Sequence, residues 1–275
     1  MRGFVCRGFF SGGAEFGVPA GLIETPEMAL ADARALAKEQ NRPGGRVQVG
    51  LAPCMIWGLD EACLRQTRKA ADELGLLVTM HVSETPFEVE HSNRAYGRSE
   101  TAFLSDIGFL KPDVLAVHCV KCTSADIATL RRHATRSRIT PAATCIWLHG
   151  DPTIITAQQV LQMATIGGAR AIGLGDEVGS IEIGKKADLV LLDMSDFFAS
   201  PIHNPISSIV YSALGHEPTL VVIDGKIVMR DRKVLTVDQQ RVRHEAQKAA
   251  AALTSRANIS SRAKFWCESL DLGQS

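Results

Sequence analysis

The sequence predicts an α/β fold built on a parallel sheet, and three observations predict it. Short apolar runs alternate with helical patterns over the first 140 residues. After residue 174 the text becomes β-rich, with Asp224-Gly225 set between alternating apolar residues. From residue 238 a last, amphipathic helical stretch runs to about 262. The expected division is therefore 1–174 for the βα part, 175–237 for the β-rich part and 238–275 for a helical tail.

Each element has a local reason. GFVCRGFF, RVQVGLAP, LLVTMHVS and VLAVHCV are short, apolar and β-branched, the pattern of strands buried on both faces. ETPEMALADARALAKEQ carries Ala and Leu at helical spacing with Pro26 near its start. LDEACLRQTRKAADELG repeats that form and ends on Gly75, a natural C-cap. TSADIATLRRHA opens on Thr123 and Ser124, and TAQQVLQMATIGGARAIG on Thr156, as N-caps. SIEIGKKADLVLLD and LVVIDGKIVMRDRKVL read as strands, and the Asp-Gly pair inside the second marks a hairpin.

Composition narrows the function. The chain has 275 residues, 45% hydrophobic and 22% charged, with 30 basic and 30 acidic side chains. That balance gives no electrostatic footprint for nucleic acid and no basic membrane face. No apolar run reaches the length of a membrane span, and the first residues lack a secretion-signal pattern. The seven scattered cysteines are expected as reduced thiols in a cytoplasmic protein.

Chemistry concentrates at two strand ends. His81 and His118 each follow an apolar run, 37 residues apart, about one βα unit. In parallel α/β folds the C-terminal strand ends carry the active site, and adjacent strands bring two imidazoles near one point where they can bind a divalent metal. Glu84, three residues after His81, is placed to exchange protons with a water there. Taken singly, each histidine could instead be a buried polar group satisfied by backbone; two in register with a following Glu favour function. Trp57, in APCMIWG, either stacks on a planar ring or packs as a βα-loop aromatic. Cys119 and Cys122, in HCVKC, lack the second pair of a zinc knuckle and read as core or loop thiols. GLGDEVG, at 173–179, follows a helix and precedes a strand, so it reads as a turn and not a dinucleotide loop. His149 and Asp151 read as a turn, or else as replacement metal ligands. His91, His133, His203 and His216 are expected on the surface or in loops.

VTMHVSET, VLAVHC and MATIGGARAIGLGDEVGSIEIGKKADLVLLD together resemble the amidohydrolase superfamily, in the branch of triazine hydrolases, chlorohydrolases and guanine, 8-oxoguanine and adenosine-analogue deaminases. The resemblance implies a metal-dependent (β/α)8 TIM-type barrel beside a small β-sandwich. It implies one divalent metal, zinc or iron, with His81 and His118 as ligands from the fifth and sixth barrel strands and Glu84 as the proton-shuttling acid. It further implies hydrolysis of C–N or C–Cl bonds in a small-molecule heterocyclic substrate such as a cyclic amidine, and a homo-oligomer is compatible with it. No His-X-His pair occurs in the sequence, and the eighth-strand Asp motif is absent. A full barrel takes about 250 residues, so the segment before 175 holds about five or six βα units. The expected fold is thus an incomplete barrel with part of a sandwich and a C-terminal helix. Two functions follow: a metal-dependent hydrolase such as a deaminase, or a non-catalytic fragment or subunit lacking the His-X-His and Asp ligands.

Overall fold

The computed structural model describes residues 2–138, 155–195, 197–213, 215 and 217–256. Two compact units divide the chain: Met1–Ala187 with Ser195–Ala213, and Asp188–Met194 with Leu214–Ser275.

The first unit holds a five-stranded parallel sheet in sequential order: β1 (Gly3–Phe9), β2 (Val47–Pro53), β3 (Val78–Val82), β4 (Val114–His118) and β5 (Arg136–Arg138). Helix α1 (Pro26–Gln40) links β1 to β2, and α2 (Glu61–Leu74) links β2 to β3. Two helices, α3 (Pro86–Tyr96) and α4 (Glu100–Asp106), link β3 to β4, and α5 (Ser124–Arg132) leads to β5. Sequential order with helical crossovers is the arrangement of a (β/α) barrel. Leu51, Val78, Met80, Val82 and Ala116 from the strands pack with Leu64, Ala71 and Leu104 from the helices, and with Phe109 from the loop after α4, in one buried cluster. These apolar side chains drive the sheet and helices together, each contributing about 1.5–3 kcal/mol on burial.

The expected caps are where the sequence puts them. Thr25 accepts from Met28 N, with Pro26 in the first turn of α1. Gly75 closes α2 at φ 62°, in the left-handed region that glycine adopts without cost. Thr123, rather than Ser124, caps α5 in a reciprocal capping box with Asp126. Thr156 pairs in the same way with Gln159 at the start of the helix Ala157–Gln162. That helix passes through a π-helical segment, Met163–Gly167, into Gly168–Ala171, and so differs from one regular helix.

The second unit carries a four-stranded antiparallel sheet of β6 (Leu189–Leu192), β7 (Pro218–Ile223), β8 (Lys226–Arg230) and β9 (Lys233–Val234). The β7–β8 hairpin turns on Asp224 and Gly225, both with positive φ, as a type I′ turn requires. Residues 180–187, expected as a strand, are turn and coil. The cause is Lys185, whose Nζ donates to Gly175 O at 2.7 Å and Ser180 Oγ at 2.6 Å and folds the segment back on GLGDEVG. The tail is a helix over Gln239–Arg256 with no buried residue, so its apolar side chains form no packed face. Among the described residues no helix is long and apolar enough to cross a membrane.

Candidate metal centre and active site

His81 lies inside β3 and His118 ends β4, so both stand at the C-terminal edge of the sheet. The register pairs His81 with Val117 and Val82 with His118. Side chains alternate across a strand, so simple continuation would send His118 to the opposite face from His81. It does not go there: the imidazole centroids are 4.9 Å apart. His118 takes φ 72° and Cys119 φ 54°, which breaks the alternation at the strand end. Non-glycine residues reach this region at a cost of order 1 kcal/mol or more, and such strain concentrates at functional sites.

Glu84 completes the group. Its Oε2 stands 3.7 Å from His81 Nδ1 and 3.4 Å from His118 Nε2. The three side chains are partly open, at 42%, 24% and 33% exposure for His81, His118 and Glu84, so solvent reaches them. Among the described residues this is the one group of three that could hold a metal ion, with one ligand atom from each within 4.8 Å of the others.

The donor set fits a divalent metal. The nearest ligand atoms of His81, His118 and Glu84 lie within 4.8 Å of one another, in the neighbourhood of the roughly 3.4 Å that separates two ligands of one tetrahedral zinc bound at about 2.0–2.1 Å. His81 Nδ1 is also buried without a hydrogen-bond partner among the described residues. A buried, unbonded imidazole nitrogen costs stability unless something else coordinates it.

The loop carrying Glu84 is held from beneath by two buried acids. Glu88 Oε2 accepts from Glu84 N at 2.5 Å and Thr85 N at 3.2 Å. Glu100 Oε2 accepts from Ser83 N at 2.8 Å and Ser83 Oγ at 3.2 Å. Both acids are almost completely buried. Across the site, Cys119 N donates to Val82 O and Lys121 N to Ser83 O, tying the two strand-end turns together.

Trp57 sits just beyond β2, half-buried, in an aromatic group with Phe10, Phe16 and Phe87. Phe87 lies in the first turn of α3, three residues from Glu84, and is 41% exposed. His91, expected on the surface or in a loop, belongs to this group: it is on α3, against Phe16, Phe87 and Tyr96. Burial holds its imidazole below the usual histidine value. His133 caps α5 and bonds Ser105 Oγ at 2.8 Å, and His203 is exposed. Cys119 and Cys122 pack at the edge of the core. Their mutual hydrogen bond raises the Cys119 thiol and lowers that of Cys122. GLGDEVG is a turn, as expected. His149, Asp151 and His216 lie outside the described residues.

The sequence profile of the amidohydrolase family matches residues 12–149 and 142–228. A 5-methylthioadenosine/S-adenosylhomocysteine deaminase from Desulforudis audaxviator is 31% identical, over 92% of this chain and 67% of its own length. A 5′-deoxyadenosine deaminase from Methanosarcina barkeri is 33% identical, over 80% of this chain and 61% of its own. Among solved structures, an adenosine deaminase from Xanthomonas campestris with bound zinc superposes with a TM-score of 0.80 at 25% identity, covering 93% of this chain and 67% of that one. Triazine hydrolase from Arthrobacter aurescens superposes equally well, at 0.80 and 18% identity over 90% of this chain and 65% of that one, a likeness of fold. The chain spans about two thirds of the length of these relatives.

Proposed function

The chain belongs to the amidohydrolase family, and on that premise we propose that it is a metal-dependent hydrolase that removes an amino group from a small aminated heterocycle, of the adenosine type. The observation that carries this reading is the placement of Glu84 between His81 and His118 at the ends of two adjacent parallel strands.

His81 and His118 would hold the divalent ion, with zinc as the first choice because two neutral imidazoles suit it and a relative carries it. Bound there, the ion supplies a Lewis acid that acidifies water and polarises the ring. Glu84 does the proton work. Its carboxylate takes a proton from the attacking water as the oxygen bonds to the ring carbon that bears the amine. It then gives that proton to the amine nitrogen as the C–N bond breaks, and ammonia leaves. The partial exposure of Glu84 gives the water a path in, and Glu88 accepts from the backbone N–H groups of Glu84 and Thr85 at the same turn. Trp57 and Phe87 offer flat apolar surface on which a purine-like ring can lie, a contact worth about 1–3 kcal/mol.

The test is ammonia release by the zinc-loaded chain from a panel of adenosine-type nucleosides and aminated triazines. Release that stops on Glu84→Gln supports the reading. A folded, metal-loaded chain that releases ammonia from none of them contradicts it.

A further inference from the structure

Glu100 is a buried acid that the proton transfer does not use. It is 1% exposed, and its Oε1 is buried with no donor among the described residues. Burial holds its carboxyl up to about 8, and the neighbouring Glu88 adds to the effect. A leucine would fill such a site without that desolvation cost, so packing does not explain the residue. What Glu100 contributes is its Oε2, which takes both donors of Ser83, the backbone N–H and the hydroxyl.

Ser83 is the point on which the site turns. It is buried, it follows β3 directly, and its φ of 49° puts it in the left-handed region. Its carbonyl accepts from Lys121 N at 2.8 Å, which ties it to the turn behind His118. The next residue is Glu84. A Ser83 released from Glu100 would leave a buried N–H unpaired and be free to relax toward ordinary β or α backbone, and Glu84 would swing with it.

We propose that Glu100 is a positioning residue: its buried carboxyl locks the left-handed turn at Ser83 and so aims Glu84 between His81 and His118. The inference rests on Glu84 as the proton carrier, and it concerns the geometry that makes Glu84 one. A carboxamide presents the same carbonyl acceptor as a neutral carboxyl, so Glu100→Gln keeps the lock. Glu100→Leu keeps the volume and removes the acceptor.

The experiment is residue-resolved amide hydrogen exchange on the full 275-residue chain, paired with zinc affinity measured by chelator competition and with the rate of ammonia release. In Glu100→Leu the Ser83 amide is expected to exchange about 10- to 100-fold faster, while the Met80 and Ala116 amides of the sheet stay protected. Zinc affinity should stay within about threefold in both variants, because Ser83 carries Glu84 and Glu100 touches neither His81 nor His118, while ammonia release falls about 10-fold or more in Glu100→Leu alone. Glu100→Asp, the same carboxyl on a shorter arm, serves if the leucine variant does not fold, and it too should loosen Ser83. A Ser83 amide equally slow in all variants overturns the proposal, as does equal loosening by Gln and Leu. Zinc binding that survives while Ser83 ignores Glu100 sinks this inference alone. The expected exchange pattern in a chain that binds no zinc sinks the metal reading and leaves Glu100 as the lock on the turn.

Discussion

His118 lies one residue past the sheet partner of His81, and yet the two rings meet at 4.9 Å because His118 adopts φ 72°. The strand end is bent out of regular β backbone to bring a second imidazole to the first. This geometry makes a prediction about stability that is separate from chemistry. Glycine accepts φ 72° without strain and alanine does not, so His118→Gly should be more stable than His118→Ala by about 1 kcal/mol in urea denaturation, the reverse of the usual order in regular structure. An alanine variant as stable as the glycine one would show that no strain is stored there.

Glu84 contacts both imidazoles but is assigned the proton and not the metal. Glu84→Gln should therefore keep zinc at close to the wild-type stoichiometry while ammonia release falls by about 100-fold or more. Parallel metal analysis and rate measurement on one preparation decide it. Loss of both together would make Glu84 a ligand instead.

Glu100 predicts a pH dependence whose sign is fixed by its shift. Its carboxyl ionises near 4.5 in the unfolded chain and at about 8 in the folded one, chiefly through burial. Between those values the folded protein keeps a proton that the unfolded chain has released. The contribution is full below about 4.5 and declines as pH rises toward 8, by at most about 1.4 kcal/mol per unit. Glu100→Gln cannot titrate, so its stability relative to wild type should improve steadily over that window in denaturation curves. Parallel curves for the two proteins at every pH would count against a buried, neutral Glu100.

The aromatic group around Trp57 makes a prediction about substrate binding. Trp57 and Phe87 are held in place by edge contacts with Phe16, so removing one side chain should not unfold the loop. Trp57→Ala should raise KM for the heterocycle by about 10-fold, with Trp57→Phe in between. A KM that does not move in either variant would leave Trp57 as a packing residue only.

The parts legible in the sequence are those where apolar periodicity and caps agree. β1 to β4, α1, α2 and α5 all announce themselves in this way, and His81, Glu84 and His118 stand out because they interrupt or follow the apolar runs. Helices α3 and α4 do not stand out, and the reason is physical. Their inward positions include Glu88, Ser92, Glu100 and Thr101, buried polar residues of which Glu88 and Glu100 bond the turn at Ser83–Thr85 and Thr101 bonds Asp126 of α5, so the apolar stripe that marks a helix is missing. The Thr85-Glu88 capping box was the available signal. His91 went unrecognised as part of the aromatic group because its partners Phe16 and Tyr96 come from separate segments of the chain. The expected strand over 180–187 failed because Lys185 finds carbonyl and hydroxyl partners in a turn, and alternation alone cannot reveal that.

The central claim is that His81 and His118 hold a divalent metal beside Glu84. Elemental analysis of the purified, folded chain after extensive dialysis tests it most directly, with His81→Ala and His118→Ala as controls. The account predicts about one zinc per chain, lost in both variants. A folded chain that carries no metal, or one whose metal survives both substitutions, would contradict it.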